Sequence, residues 1–335
     1  VEIVGIGARL DPESAWPKKV NKNESVTHTI GVDVENLDVH ATGNVKIKGK
    51  GGFGNQYLDG VALTNVTIQS EGRVKLEGVS GYSEMMDKST GVYFNNIILS
   101  AKNARIVGRH PSDKSAPSGT KLDGIFMQNS TIVVQDHFEA FGYPIKGGKV
   151  KNTAGIFARE SNVIADSIVL YGLPPEFDDY IDVNLKYESM NNLLDESDGV
   201  TGKNIGLWFK DSRFSTRNGD LVVFGVGGLG KKKGHGVLLD RSTKLTAKNG
   251  NLDIVGFAGK GGSEMYGVVV DGSHLSSDMK IDIFADSAES DSGRNNIGIK
   301  FVDDSSLSAE HITLDGMGGV VQQGGKILDG VSIEQ

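Results

Sequence analysis

The sequence predicts an all-β fold, a right-handed parallel β-helix with three short strands per rung and about ten rungs of ~31 residues. Three observations predict it. A glycine followed by an aliphatic residue, any residue and an apolar residue recurs at Gly31, Gly60, Gly91, Gly124, Gly155, Gly206, Gly236, Gly267, Gly298 and Gly330. The intervals are 29, 31, 33, 31, 51, 30, 31, 31 and 32 residues, so the spacing is even with one break. Between these glycines apolar residues alternate with polar ones, the pattern of a strand with one buried face, and no segment sustains helical periodicity with caps.

Each rung divides into three runs. The first gives Val32 and Val34, Val92 and Phe94, or Leu207 and Phe209. A polar turn follows at Asn36, Asn65, Asn96 or Asn129. The second run pairs a large residue with a small one, as in Val39 with Ala41, Val163 with Ala165 and Leu245 with Ala247. The third run, for example Leu221 and Val223, closes on glycine at Gly49, Gly78, Gly108, Gly225 and Gly256. Asn and Gly at corners suit left-handed or tight backbone, so the repeat glycines read as turn residues. Stacked at about 4.8 Å per rung, the repeats form a rod roughly 45–50 Å long. The 335 residues then form one β-helical unit, read as a segment of a longer solenoid, with an extra-helical insertion over 173–205.

The chain has a net charge of -8 and no cysteine. That balance argues against nucleic acid as a main partner, and disulfides and thiolate metal sites are excluded. No apolar run approaches the length of a membrane span, so no membrane insertion is expected. Neither a cofactor nor a metal site is expected. The seven histidines fall in different rungs and read mainly as surface residues without metal-ligand spacing. Asp195, Glu196 and Asp198 read as a solvated acidic loop.

Function in a solenoid concentrates where the repeat is decorated. The variable corner always lies between the third strand and the next glycine, so the loops line one edge. In the longest, Ile181, Val183, Leu185 and Tyr187 alternate with polar residues and predict an extra strand outside the helix. The outward position two residues after the repeat glycine reads Asp33, Ala62, Tyr93, Phe126, Phe157, Trp208, Leu238, Val269 and Lys300. Tyr93, Phe126, Phe157 and Trp208 thus form an aromatic ladder on four adjacent rungs. A second outward column holds Tyr171, Phe224, Val255 and Phe284. Either the insertion folds over these rings, or they offer a platform for sugar rings or a protein partner. The candidate ligand-binding residues are Tyr93, Phe126, Phe157, Trp208, Arg109, Tyr180, Lys232 and Tyr266, with the cations placed to meet an anionic sugar. The column Arg159, Lys210, Asp240 and Asp271 reads as a charge ladder, with polysaccharide cleavage as its alternative.

Two stretches carry a family resemblance. GVLLDRSTKLTAKNGNLDIVG (Gly236 to Gly256) and GVDVENLDVHATGNVKIKG (Gly31 to Gly49) look like rungs of filamentous-haemagglutinin-type exoproteins. These include the high-molecular-weight adhesins exported by two-partner secretion in Gram-negative bacteria. The resemblance covers roughly Gly31 to Gln335. It implies a non-enzymatic rod, secreted through an outer-membrane transporter partner and held on the bacterial outer-membrane surface. Such a rod attaches cells to a host glycan or glycoprotein, sialylated glycans included. No residue-level binding motif comes with the resemblance. A shaft without receptor binding of its own is the second reading, and a polysaccharide lyase or hydrolase the third.

Overall fold

The computed structural model describes residues 1–7, 29–52, 54, 57–82, 88–111, 118–144, 149–173, 202–228, 232–259, 263–287, 295–319 and 329–334. Among these, every regular element is a strand and every strand pairing is parallel. Third strands, from Glu2–Ile6 to His311–Met317, stack into one ten-stranded sheet in chain order. First and second strands run as single strands in the first two rungs, Val32–Ala41 and Val61–Ser70, and separate from Lys88–Asn95 and Ile98–Ala101 onward. This is the β-helix expected from the glycine spacing. The 51-residue interval does not disturb it: Phe157 pairs with Trp208 and Leu170 with Val223 in unbroken register.

The interior follows the inward columns. Val61, Val92, Ile125, Ile156, Leu207, Val237, Val268 and Ile299 are all buried on successive rungs. Where Ala158 leaves room, the Phe209 and Phe214 rings fill it, 4.4 Å apart. Complementary large and small residues keep such a core near organic-crystal density.

The two kinds of turn residue have different causes. Asn36, Asn65, Asn96 and Asn129 all adopt left-handed backbone, with φ between 48° and 56°. Asparagine tolerates this conformation because its short amide bonds locally. Here the amides also link rungs: the Asn65 Nδ2 donates to Asn36 Oδ1, and the Asn96 Nδ2 to Asn65 Oδ1, each at 3.0 Å.

The repeat glycines are a correction to the turn reading. Among the described glycines only Gly272 has a left-handed φ. The others are needed for close approach of two backbones. A Cβ on Gly78 would lie 1.9 Å from the Gly91 carbonyl oxygen, and one on Gly91 would lie 2.2 Å from the Arg109 nitrogen. The ends of the third strands therefore cross the starts of first strands glycine against glycine, with Ala285 in the closing position of one rung. Beyond this crossing both strands continue outward, and their extensions carry the decorated edge.

Candidate functional site

The outward column assembles in the predicted register. Asp33, Ala62, Tyr93, Phe126, Phe157, Trp208, Leu238, Val269 and Lys300 pair one to the next without a slip. The rings stack along the rod axis: Tyr93 to Phe126 at 5.3 Å, Phe126 to Phe157 at 5.4 Å, and Phe157 to Trp208 at 4.6 Å. Such offset contacts add to the energy of burial.

The ladder is not an open platform. Phe126 and Phe157 are each only 7% exposed, and Tyr93 and Trp208 are half-buried. Part of the cover comes from the ladder itself and part from a lysine: the Lys121 ammonium sits 3.7 Å from the Phe126 centroid and 4.2 Å from that of Phe157. Lys203 lies 4.9 Å above Trp208 in the same way, and the Trp208 Nε1 donates to Asp240 at 3.3 Å. Each ammonium thus lies over a ring face, a cation–π contact that also covers the ring. The insertion's extra strand, with Tyr180, and the acidic run at Asp195 lie outside the described residues.

The remaining candidate residues are dispersed. Tyr266 is 5% exposed and stacks on His235 at 5.0 Å, within a cluster of Ile205, Leu238, Val269 and Ile297 that Trp208 borders. Lys232 is exposed at the edge, its backbone N–H donating to the Gly202 carbonyl. Arg109 belongs to the other side of the edge, over the Tyr143 ring. There the second outward column forms its own cluster, buried at Tyr171 and partly buried at Phe224, Val255 and Phe284. Tyr171, Phe224, Val255 and Phe284 are joined by Val107 and Phe141, which pair into the same column.

Between the two outward columns lies a buried polar seam that the sequence reading missed. His110 and His235, expected at the surface, are each 2% exposed. The His110 Nδ1 pairs with Ser80 Oγ at 2.6 Å, and its Nε2 with the Asp123 carbonyl at 3.1 Å. Asp59 accepts the Thr90 N–H at 2.6 Å, and Asp123 that of Ala154 at 2.9 Å. Burial drives the titration of all four. It pushes the Asp59 carboxyl up to about 7 and that of Asp123 up to about 6. It pushes the imidazoles of His110 and His235 down to about 4 and about 3. Each belongs to the strand extensions just past the glycine crossing.

A Ser–His–Glu line also occurs on the third-strand sheet. The His137 Nδ1 meets Ser167 Oγ at 2.6 Å and its Nε2 meets Glu139 at 2.9 Å. Serine–histidine contacts between neighbouring rungs recur at Ser80–His110 and at His274–Ser306. The Ser167 and Ile168 N–H groups both donate within the wall, leaving neither for an oxyanion. This pairing ties rungs together. The column Arg159, Lys210, Asp240 and Asp271 is likewise in register across four rungs. Among the described residues no group of three or more histidines and carboxylates is placed to hold a metal ion.

A second column was not read from the sequence, three residues before each repeat glycine. Lys88, Lys121, Asn152, Lys203, Lys233 and Glu264 pair in turn along the rod. Applying the glycine offset upstream as well as downstream would have found it. Comparison with known proteins adds no family: no protein-family model and no curated protein matches the chain.

Proposed function

We propose that this β-helix is a segment of a bacterial surface adhesin that binds a host-cell glycan, sialylated or otherwise acidic, at the edge near Tyr93 to Tyr266. The observation that carries the reading is the in-register aromatic column, which emerges half-buried at Tyr93 and Trp208, with the Lys203 ammonium over the Trp208 ring. A ring with one accessible face supports a sugar, and neighbouring cations meet its acidic groups. In this reading the protein is non-enzymatic. It is held on the outer-membrane surface after export through a transporter partner, which acts on a region outside this segment. A glycan array probed with the 335-residue protein tests it. Binding should be present and should fall on Trp208→Ala with the β-sheet circular dichroism intact; an array with no bound glycan rejects the reading.

The burial of Phe126 and Phe157 favours a second reading, in which the ladder only stiffens a structural shaft. It predicts that Trp208→Ala lowers stability and alters no binding.

A further inference from the structure

The ten-stranded sheet of third strands carries opposite charge at its two ends and apolar side chains between them. One outward column reads Glu2, Lys46, Lys75, Arg105, Glu139, Val169, Val222, Asp253, Asp282 and Thr313, in register throughout. At the first end cations are in excess. Lys48 and Lys75 share the one Glu77 carboxylate, while Lys46 pairs with Glu2 at 2.7 Å and Arg105 with Glu139 at 3.2 Å. Exposed Lys50 and Arg73 make no ion pair among the described residues. At the far end acids are in excess. Lys280 holds Asp282 at 2.5 Å, but Asp253 and exposed Asp315 make no ion pair among the described residues. Burial raises the Asp253 carboxyl above its ordinary range, and the charges of Asp282 and Asp220 raise it further. Between the ends, Val169, Val222, Phe224, Val255 and Phe284 are half-buried.

Such a face is complementary to itself when one copy is reversed. Turned about an axis along the strands, a second copy lays each column on its own counterpart with the rung order inverted. Lys46 then meets Asp282 and Lys75 meets Asp253, the Arg105–Glu139 pair lies over Val222 and Val169, and Val107 meets Phe224. Turned about the rod axis instead, the sheet sets Lys46 against Lys50, Arg105 against Arg109 and Asp282 against Asp286, like charges in every case. Ten strands at about 4.8 Å, each roughly five residues of about 3.3 Å, give on the order of 750 Å2 per copy, near the ~800 Å2 per partner of a stable interface. We infer that a second copy of this chain docks on this sheet, antiparallel along the rod about a two-fold axis, with Lys46 and Lys75 of each copy against Asp282 and Asp253 of the other. The aromatic column belongs to the other sheet, so this inference and the glycan reading stand or fall separately.

Sedimentation velocity of the intact protein over a concentration series tests it. A monomer–dimer equilibrium should appear and weaken with added salt. Lys75→Asp alone and Asp253→Lys alone should each weaken self-association about tenfold or more, because two attractive pairs per interface become like-charge pairs. An equimolar mixture of the two variants should form a mixed dimer with affinity within about twofold of the natural chain, since every such pair is then opposite in sign again. That recovery also shows that both variants fold. Because the chain has no cysteine, Thr313→Cys carries a single spin label and reads the orientation. The label-to-label distance should be about 40 Å in the antiparallel dimer, against less than about 20 Å in a parallel one. Three results overturn the inference. The first is a protein that stays monomeric to about 100 µM, since interfaces of this size hold at micromolar concentration or below. The second is a mixture that associates no better than either variant alone, and the third is the short label distance.

Discussion

Replacing Gly78 with alanine isolates the force that fixes the repeat. The added Cβ would lie 1.9 Å from the Gly91 carbonyl oxygen and 2.6 Å from its carbon, both backbone atoms that no rotamer change can move. Ordinary contact begins near 3.4 Å, so about 1.5 Å of separation must open between the crossing strands. Overpacking of this kind costs about 1–3 kcal/mol. The Gly60 N–H donates to the Thr90 carbonyl at 3.0 Å beside the crossing, and straining that bond adds about 1 kcal/mol. A loss of roughly 3 kcal/mol follows for Gly78→Ala. The control is Gly43→Ala, where a Cβ meets nothing within 4 Å and φ lies outside the left-handed region. There the smaller unfolded-state entropy should stabilise by about 0.4–1 kcal/mol. The molecule sets an upper bound, because Ala285 occupies the closing position in a later rung, in register with Gly256 and Gly316. One methyl group can thus be absorbed, and the variant should fold. Urea denaturation followed by circular dichroism measures the difference, with limited proteolysis locating any loosened rung, since solenoids need not unfold in one step. A gap below about 1 kcal/mol between the two variants would refute the close-approach account.

Two further predictions concern the corner and the seam. Both Asn96→Gly and Asn96→Ala lose the amide bond to Asn65, but only alanine is strained at φ 56, so Asn96→Ala should be the less stable by about 1–2 kcal/mol; equal melting temperatures for the two variants would count against this. For Asp59 the folded carboxyl is raised to about 7, so its contribution to stability is full below the unfolded value near 3.9 and is lost as pH rises toward 7. The stability of the natural chain relative to Asp59→Asn should therefore fall between pH 4 and pH 7, by something on the order of a few kcal/mol at most. His110 has the opposite sign: its folded value of about 4 means stability is held above pH 6.5 and lost as pH falls through 4. Urea midpoints at pH 5 and pH 8 for both chains check the Asp59 effect, and a constant difference would contradict it.

How far the fold was legible follows from what glycine does here. A glycine required by backbone contact cannot drift, because any side chain at Gly78 or Gly91 strikes a neighbouring strand. The repeat therefore survives as a fixed offset, and every column counted from it is right, from Tyr93–Trp208 to Tyr171–Phe284. The conformational reason first assigned to those glycines was nevertheless wrong, since sequence alone does not separate a glycine needed for φ from one needed for space. Asparagine was the better conformational marker, as the left-handed Asn36, Asn65, Asn96 and Asn129 show.

Exposure was less legible, for a physical reason that also bears on function. Alternation says that Phe126 points away from the core; it does not say what meets it there. Its cover comes from Lys121, five residues earlier and across a strand crossing that a linear reading does not place. His110 and His235 were misjudged in the same way, because beyond the crossing the two strand extensions enclose a second, polar interior. Net charge hid the lysine column: a total of -8 averages Lys88, Lys121, Lys203 and Lys233 against carboxylates elsewhere on the chain. A solenoid converts residues about 30 apart into neighbours about 4.8 Å apart, so charge in such a chain has to be summed down columns rather than along the sequence. Among the described residues, that count sets Lys88, Lys121, Lys203 and Lys233 in one column beside the aromatic ladder of an acidic protein, and Glu264 ends the run.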